Sequence, residues 1–157
     1  MSKPRPIANS TQNAQSNAYL RNRVLNARPE EIRLMLLDGA IRFGRQAQAG
    51  IEAKDIEQMF DGLSQCRDIV AELLGTVRDD PDPELAQNVR GLYSFMFREL
   101  MDVGFERDGK KLAKVIELLE YERETWAMLC EKLAAERASA GPSAPAEQRT
   151  TGVSLQA

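Results

Sequence analysis

Pro29-Glu-Glu-Ile-Arg-Leu-Met-Leu-Leu-Asp-Gly-Ala-Ile-Arg-Phe43 reads as the opening of a long helix. Pro29 suits the first helical position, where no N–H is needed and φ is already helical. Glu30 and Glu31 put negative charge in the first turn, where the helix dipole favours it. Ile32, Leu36, Ala40, Phe43 and Ala47 recur at spacings of three and four and form one apolar stripe. Leu34, Leu37 and Ile41 form a second stripe, expected on roughly the opposite side. A helix apolar on two sides must bury both, so it is either enclosed or awaiting a partner.

Outward from this stretch the chain divides into helices. The first long one is expected from Pro29 to about Ala53, with Gly39 and Gly44 kept inside it for close helix contact. Asp55 is a good N-cap for a second helix, whose seam is read as Ile56, Met59, Phe60, Leu63, Cys66, Val70, Leu73 and Val77. Gly75 and Arg78-Asp-Asp-Pro-Asp-Pro83 end it. Asp82 caps a third helix with Pro83 at its first position. That helix carries a core seam from Leu85 to Val103 and a second row, Tyr93, Phe97, Met101 and Phe105, with Phe95 on a third side. Asp108 caps a fourth, in which Leu112, Leu119, Trp126 and Leu133 repeat every seven residues. The connections are short, so consecutive helices run antiparallel. The expected fold is all-α: an antiparallel up-down-up-down four-helix bundle occupying residues 18–138, with a short N-terminal cap segment at 18–27. Residues 1–17 and 139–157 are expected to be disordered tails.

Composition removes several function classes. The chain of 157 residues contains no histidine, so Ser-His and Cys-His nucleophile pairs, Glu-x-x-His metal bundles and phosphotransfer histidines are out of reach. No nucleophile–base constellation or phosphate-cradling loop stands out, and no enzyme activity, cofactor or metal is expected. A net charge of −3 without a long basic cluster argues against nucleic acid as main partner. No apolar run approaches the roughly 20 residues that span a bilayer, so membrane insertion is not expected. The N-terminus lacks an apolar signal core, which points to the cytoplasm. Cys66 and Cys130 read as reduced core residues.

The motif at 29–43 resembles the leading motif of the FliS-type flagellar secretion chaperones, as does Ala18-Tyr19 followed by Val24. Leu92-Tyr93 is similar to that family's Leu-Tyr signature, and Leu118-Leu119, Arg123 and Trp126 to its closing motif. The pieces fall in order from Ala18 to Trp126. Two departures are visible. Leu37 stands where the family usually has Tyr, and Asn26-Ala27-Arg28 lacks a hydroxyl often found before the proline.

The resemblance implies a cytoplasmic chaperone of the flagellar type III export system. Such a protein binds the disordered C-terminal segment of flagellin, prevents premature polymerisation and assists delivery to a component of the export gate. It also implies a displaceable cap over the binding surface, here Tyr19, Leu20 and Val24. Client-facing positions are expected at Leu34, Leu37 and Ile41 with Tyr93, Phe97, Met101 and Phe105. The residues alone leave other coverings open: the same rows could be the inner wall of an ordinary bundle, or could join two copies into a homodimer serving as a structural module.

Overall fold

The computed structural model describes residues 8–141, and every regular element among them is helical: α1 (Ala8–Asn26), α2 (Pro29–Ala53), α3 (Ile56–Gly75), α4 (Pro83–Glu106) and α5 (Gly109–Ala140). Of the expected tails at 1–17 and 139–157, residues 1–7 and 142–157 lie outside the described residues. α1 begins at Ala8 rather than at Ala18, so part of the expected N-terminal tail is helical. Adding turns to an existing helix costs little compared with starting one, and nothing between Ala8 and Asn17 is a Gly or Pro to stop it. α5 likewise reaches Ala140, past the expected boundary.

The starts of the bundle helices follow the chemistry of their caps. Asp55 accepts the Gln58 N–H at 3.0 Å, Asp82 accepts that of Leu85 at 3.1 Å, and Asp108 accepts those of Lys110 and Lys111 at 2.9 and 3.2 Å. At α2, Pro29 is joined by Glu31, whose carboxylate accepts the Arg28 N–H at 3.0 Å. α2 and α4 stop at Lys54 and Arg107, both left-handed at φ 55°. Each brings a cation to the negative end of its helix.

α2 to α5 form a ring in which α2 and α4 each pack against both α3 and α5. Cross-helix neighbours show that every adjacent pair is antiparallel. Gly62 meets Ala47 and Gly39 meets Ile69 between α2 and α3; Asp38 meets Arg123 and Ile51 meets Gly109 between α2 and α5. Tyr93 meets Glu122 and Asp102 meets Lys111 between α4 and α5; Arg67 meets Met101 and Phe60 meets Gly104 between α3 and α4. The α2–α3 seam is the tightest. A Cβ on Gly62 would sit 2.6 Å from the Ala47 nitrogen, and one on Gly50 would sit 2.5 Å from the Met59 nitrogen. Glycine is required at both because the facing atoms are backbone.

The ring explains the two stripes of α2. At 100° per residue they lie roughly 130° apart, not opposite each other. One faces α3 and the other faces the centre and α5. Leu37 and Tyr93 are 0% exposed and Ile41 is 7% exposed, so all three belong to the core with Leu63, Met96 and Leu119. Their expected client-facing role is not met in this conformation. Two neighbours at adjacent corners of a four-helix ring take up both stripes except Leu34, which stays half-buried.

Candidate functional site

Two open surfaces among the described residues, on opposite sides of the ring, bear on the expected site residues. The first is a cleft of about 610 Å³ between α1 and the α2–α5 face. Its lining comes from both sides of the Ala27–Arg28 hinge: Tyr19, Arg23 and Asn26 before it, Glu31, Leu34 and Asp38 after it. The start of α2 and α1 thus flank one open space, with Cys130 of α5 on its far wall, while every described side chain of α1 from residue 14 on stays exposed and the helix does not pack on the bundle. The cleft brings together Tyr19, expected in the cap, and Leu34, expected beneath a client. Leu20 and Val24 do not line it. They lie roughly 100–140° around the helix from Tyr19 and are 52% and 48% exposed. α1 thus turns mainly polar residues, Asn22, Arg23 and Asn26, toward the bundle. Among the described residues, no hydrogen bond or ion pair ties an α1 side chain to the bundle.

The floor of this side is held by charge. Asp38 accepts from Arg123 at 2.8 Å, and Arg45 pairs with Glu120. At the hinge, Glu30 pairs with Arg137, and the Cys130 thiol reaches the Glu30 carbonyl at 3.5 Å. The Arg137 hydrogen bond is the main reason the Glu30 carboxyl titrates below its ordinary value. Cys66, by contrast, is buried in the core, which pushes its thiol up to about 12 and leaves it inert at neutral pH.

Inside the same end of the bundle a polar network joins the ring helices. Arg33 donates to the Tyr93 hydroxyl at 3.1 Å and to Thr76 Oγ1 at 3.2 Å. Tyr93 in turn donates to Glu122 at 3.1 Å. The Arg33 guanidinium lies over the Trp126 ring at 4.4 Å and the Tyr93 ring at 5.5 Å. Its buried Nε has no hydrogen-bond partner, and the aromatic faces take part of that role. Burial raises the Tyr93 phenol, Arg33 opposes the shift and Glu122 adds to it. Tyr93 and Trp126 are thereby bolts of the bundle; neither is an exposed contact residue.

The second surface is a strip along α3 and α4. Phe97 and Met101 are half-buried, and Phe105 at the end of the row is 83% exposed. Across the groove Phe60 is 48% exposed and reaches toward Gly104, with Ile56 beyond it at 46%. Arg67 donates to the Met101 sulfur at 3.1 Å on the groove floor. The expected row therefore divides: Tyr93 is sealed, while Phe97, Met101 and Phe105 run progressively outward. Phe60 and Ile56, expected in the core seam, are instead exposed at 48% and 46%. Met59 and Phe60 are adjacent and so about 100° apart on a helix; only one of them can point at the centre, and that is Met59 at 1%. That adjacency was the available signal for Phe60.

No described helix is long and apolar enough to cross a membrane. The sequence matches the family described as flagellar protein FliS over residues 11–133. It is 32% identical to the flagellar secretion chaperone FliS of Bacillus subtilis (strain 168) over 109 residues, which cover 69% of this chain and 80% of the relative. It is 28% identical to the protein of the same name from Campylobacter jejuni over 110 residues, covering 70% and 86%. With that of Salmonella typhimurium it shares 27% over 120 residues, covering 76% and 89%. The matched span takes in the hinge, the ring of four helices and both unsealed faces, and on that match the chain belongs to the FliS family of flagellar proteins.

Proposed function

We propose that this protein is a cytoplasmic flagellar secretion chaperone whose client is the disordered C-terminal segment of flagellin. Held on the chaperone, that segment cannot polymerise early and can be handed to a component of the export gate. The observation that carries the reading is the α3–α4 strip, because soluble monomers rarely leave a contiguous aromatic row open. Phe97, Met101 and Phe105 offer one wall and Phe60 the other. An aromatic side chain buries about 150–250 Å² when covered, worth several kcal/mol for the row at about 25 cal/mol per Å². A client that becomes helical as it docks is the fitting partner for such a groove. Methionine at 101 lets the floor adapt to it. α1 is the candidate for the movable segment: Tyr19 and Leu34 line the same open cleft, and α1 is exposed and not packed on the bundle.

Calorimetry with a peptide of the flagellin C-terminal segment tests the proposal. Saturable one-to-one binding is expected, and Phe105→Asp should weaken it at least about tenfold with helicity unchanged. Absence of saturable binding, or equal binding by the variant, overturns the assignment of the strip. A mass that doubles with concentration in light scattering would instead put a second copy of the chain on it.

A further inference from the structure

The outer edge of the α3–α4 strip carries charge that the family reading does not use. Glu57, Asp61, Asp68 and Glu72 are spaced by four, seven and four residues and are all exposed. That spacing puts them on one line along α3. Asp61 follows Phe60 and Asp68 follows Arg67, and Phe60 and Arg67 are the residues that touch α4. One residue further is about 100° further around the helix. Since Gly62 marks the α2 side and Leu63 the core, this turn leads outward, so the acidic row borders the strip on its solvent side. Among the described residues none of the four takes part in an ion pair. On the opposite border Arg98, next to Phe97, is exposed and also free of the described ion pairs.

We propose that the strip selects an amphipathic helix with lysines or arginines along one flank, docked with that flank against the acidic row of α3. The inference rests on the reading of the strip as the client surface and adds the chemistry and direction of the segment taken. Turning an amphipathic helix end for end swaps its flanks. A groove with carboxylates along α3, Arg67 turned down onto Met101 at its floor and Arg98 on the far border therefore accepts a singly basic-flanked helix in one direction. Charge also decides between occupants. A second copy of this chain would bring the same four carboxylates to the contact, whereas a basic-flanked helix neutralises them.

Two synthetic amphipathic helices with the same apolar stripe provide the probe, one with lysines and one with glutamates on the flank in question, alongside the flagellin C-terminal peptide. The full chain should bind the lysine-flanked helix about tenfold more tightly than the glutamate-flanked one, since several exposed pairs each contribute modestly. That preference should shrink at high salt. The double variant Asp61→Lys/Asp68→Lys should reverse the preference; circular dichroism confirms the fold, and Glu57→Gln/Glu72→Gln should halve the preference if the double reversal disturbs α3. Equal binding of both helices, with the flagellin peptide still bound at the strip, overturns this inference and leaves the proposed function standing. Failure of all three peptides to bind overturns both. Dimerisation through the strip, lost in Phe105→Asp, also overturns the inference.

Discussion

On the α2–α5 face, Asp38, Arg45 and Glu30 reach across to Arg123, Glu120 and Arg137, and an open cleft separates them from α1. On the α3–α4 face, Arg67 turns down onto Met101, and Phe60 and Phe105 stand open beside it. The first face spends its side chains on itself. Its ion pairs are exposed and worth little individually, but they occupy the positions an apolar partner would need. The second face satisfies its backbone within the helices and leaves aromatic surface over. A client docked there would not have to break existing pairs, and a cap on the other side can move without uncovering the core.

The comparison breaks most sharply at Leu37 and Phe105, both expected to face a client. Leu37→Ala should cost about 2–5 kcal/mol, since it empties a fully buried site. Phe105→Ala removes a side chain that is 83% exposed and should leave the denaturation midpoint nearly unchanged while weakening peptide binding. Urea melts of the two variants decide it. Similar losses of stability in both would mean that the α4 end is packed in solution.

Next in size is a pair of glycines. Gly62→Ala drives a Cβ to 2.6 Å from the Ala47 nitrogen and 2.7 Å from the Phe43 carbonyl. The helices must separate, at a cost of about 1–3 kcal/mol. Gly91→Ala, on the exposed side of α4 with nothing within 4 Å, should stabilise by about 0.5–1 kcal/mol. Thermal melts should move in opposite directions.

These examples also mark what was legible in the residues. The helix starts at Asp55, Asp82 and Asp108 could be read because a cap is local chemistry. The antiparallel ring followed from short connections. Which apolar rows stay open was not legible, because burial depends on where the neighbours stand. Leu37 and Ile41 form as good an outward stripe as any until α5 is placed beside them. Tyr93 looked like the head of an exposed row, yet its hydroxyl sits between Arg33 and Glu122 from two other helices. Nothing in spacing announces a network whose members are 60 and 29 residues apart. Phe60 was misplaced for the opposite reason: a run of good apolar seam positions hid that two adjacent residues cannot share one direction.

That network gives the third prediction. Tyr93→Phe keeps the ring but removes the hydroxyl that links Arg33 to Glu122, and leaves both charged groups short of a partner. The expected loss is about 1–3 kcal/mol, read as a lower melting temperature. Peptide binding at the strip should stay as it was, because the sealed head of the row is structural. A loss of binding greater than the loss of stability would return Tyr93 to the client surface.

The smallest effect belongs to the hinge, where the covered face begins. Glu30 is held below its ordinary value of 4.5 chiefly by its hydrogen bond with Arg137. A carboxyl depressed in the folded protein adds stability above its unfolded pKa and loses it as pH falls through the folded one. The Glu30–Arg137 contribution is therefore complete at neutral pH and disappears only on acidification below about 4.5. Glu30 is partly buried but its partner Arg137 is exposed, so the effect on global stability should be slight and further reduced by salt. It should be visible locally, as a depressed midpoint in a carbon-detected NMR titration of Glu30. In Arg137→Ala that midpoint should rise toward 4.5. The first turn of α2 should then exchange its amides faster, while α3–α4 amides stay as they were. An unchanged Glu30 midpoint in that variant would mean that α5 does not clasp the hinge in solution, and the two faces would differ in covering but not in how firmly they are fixed.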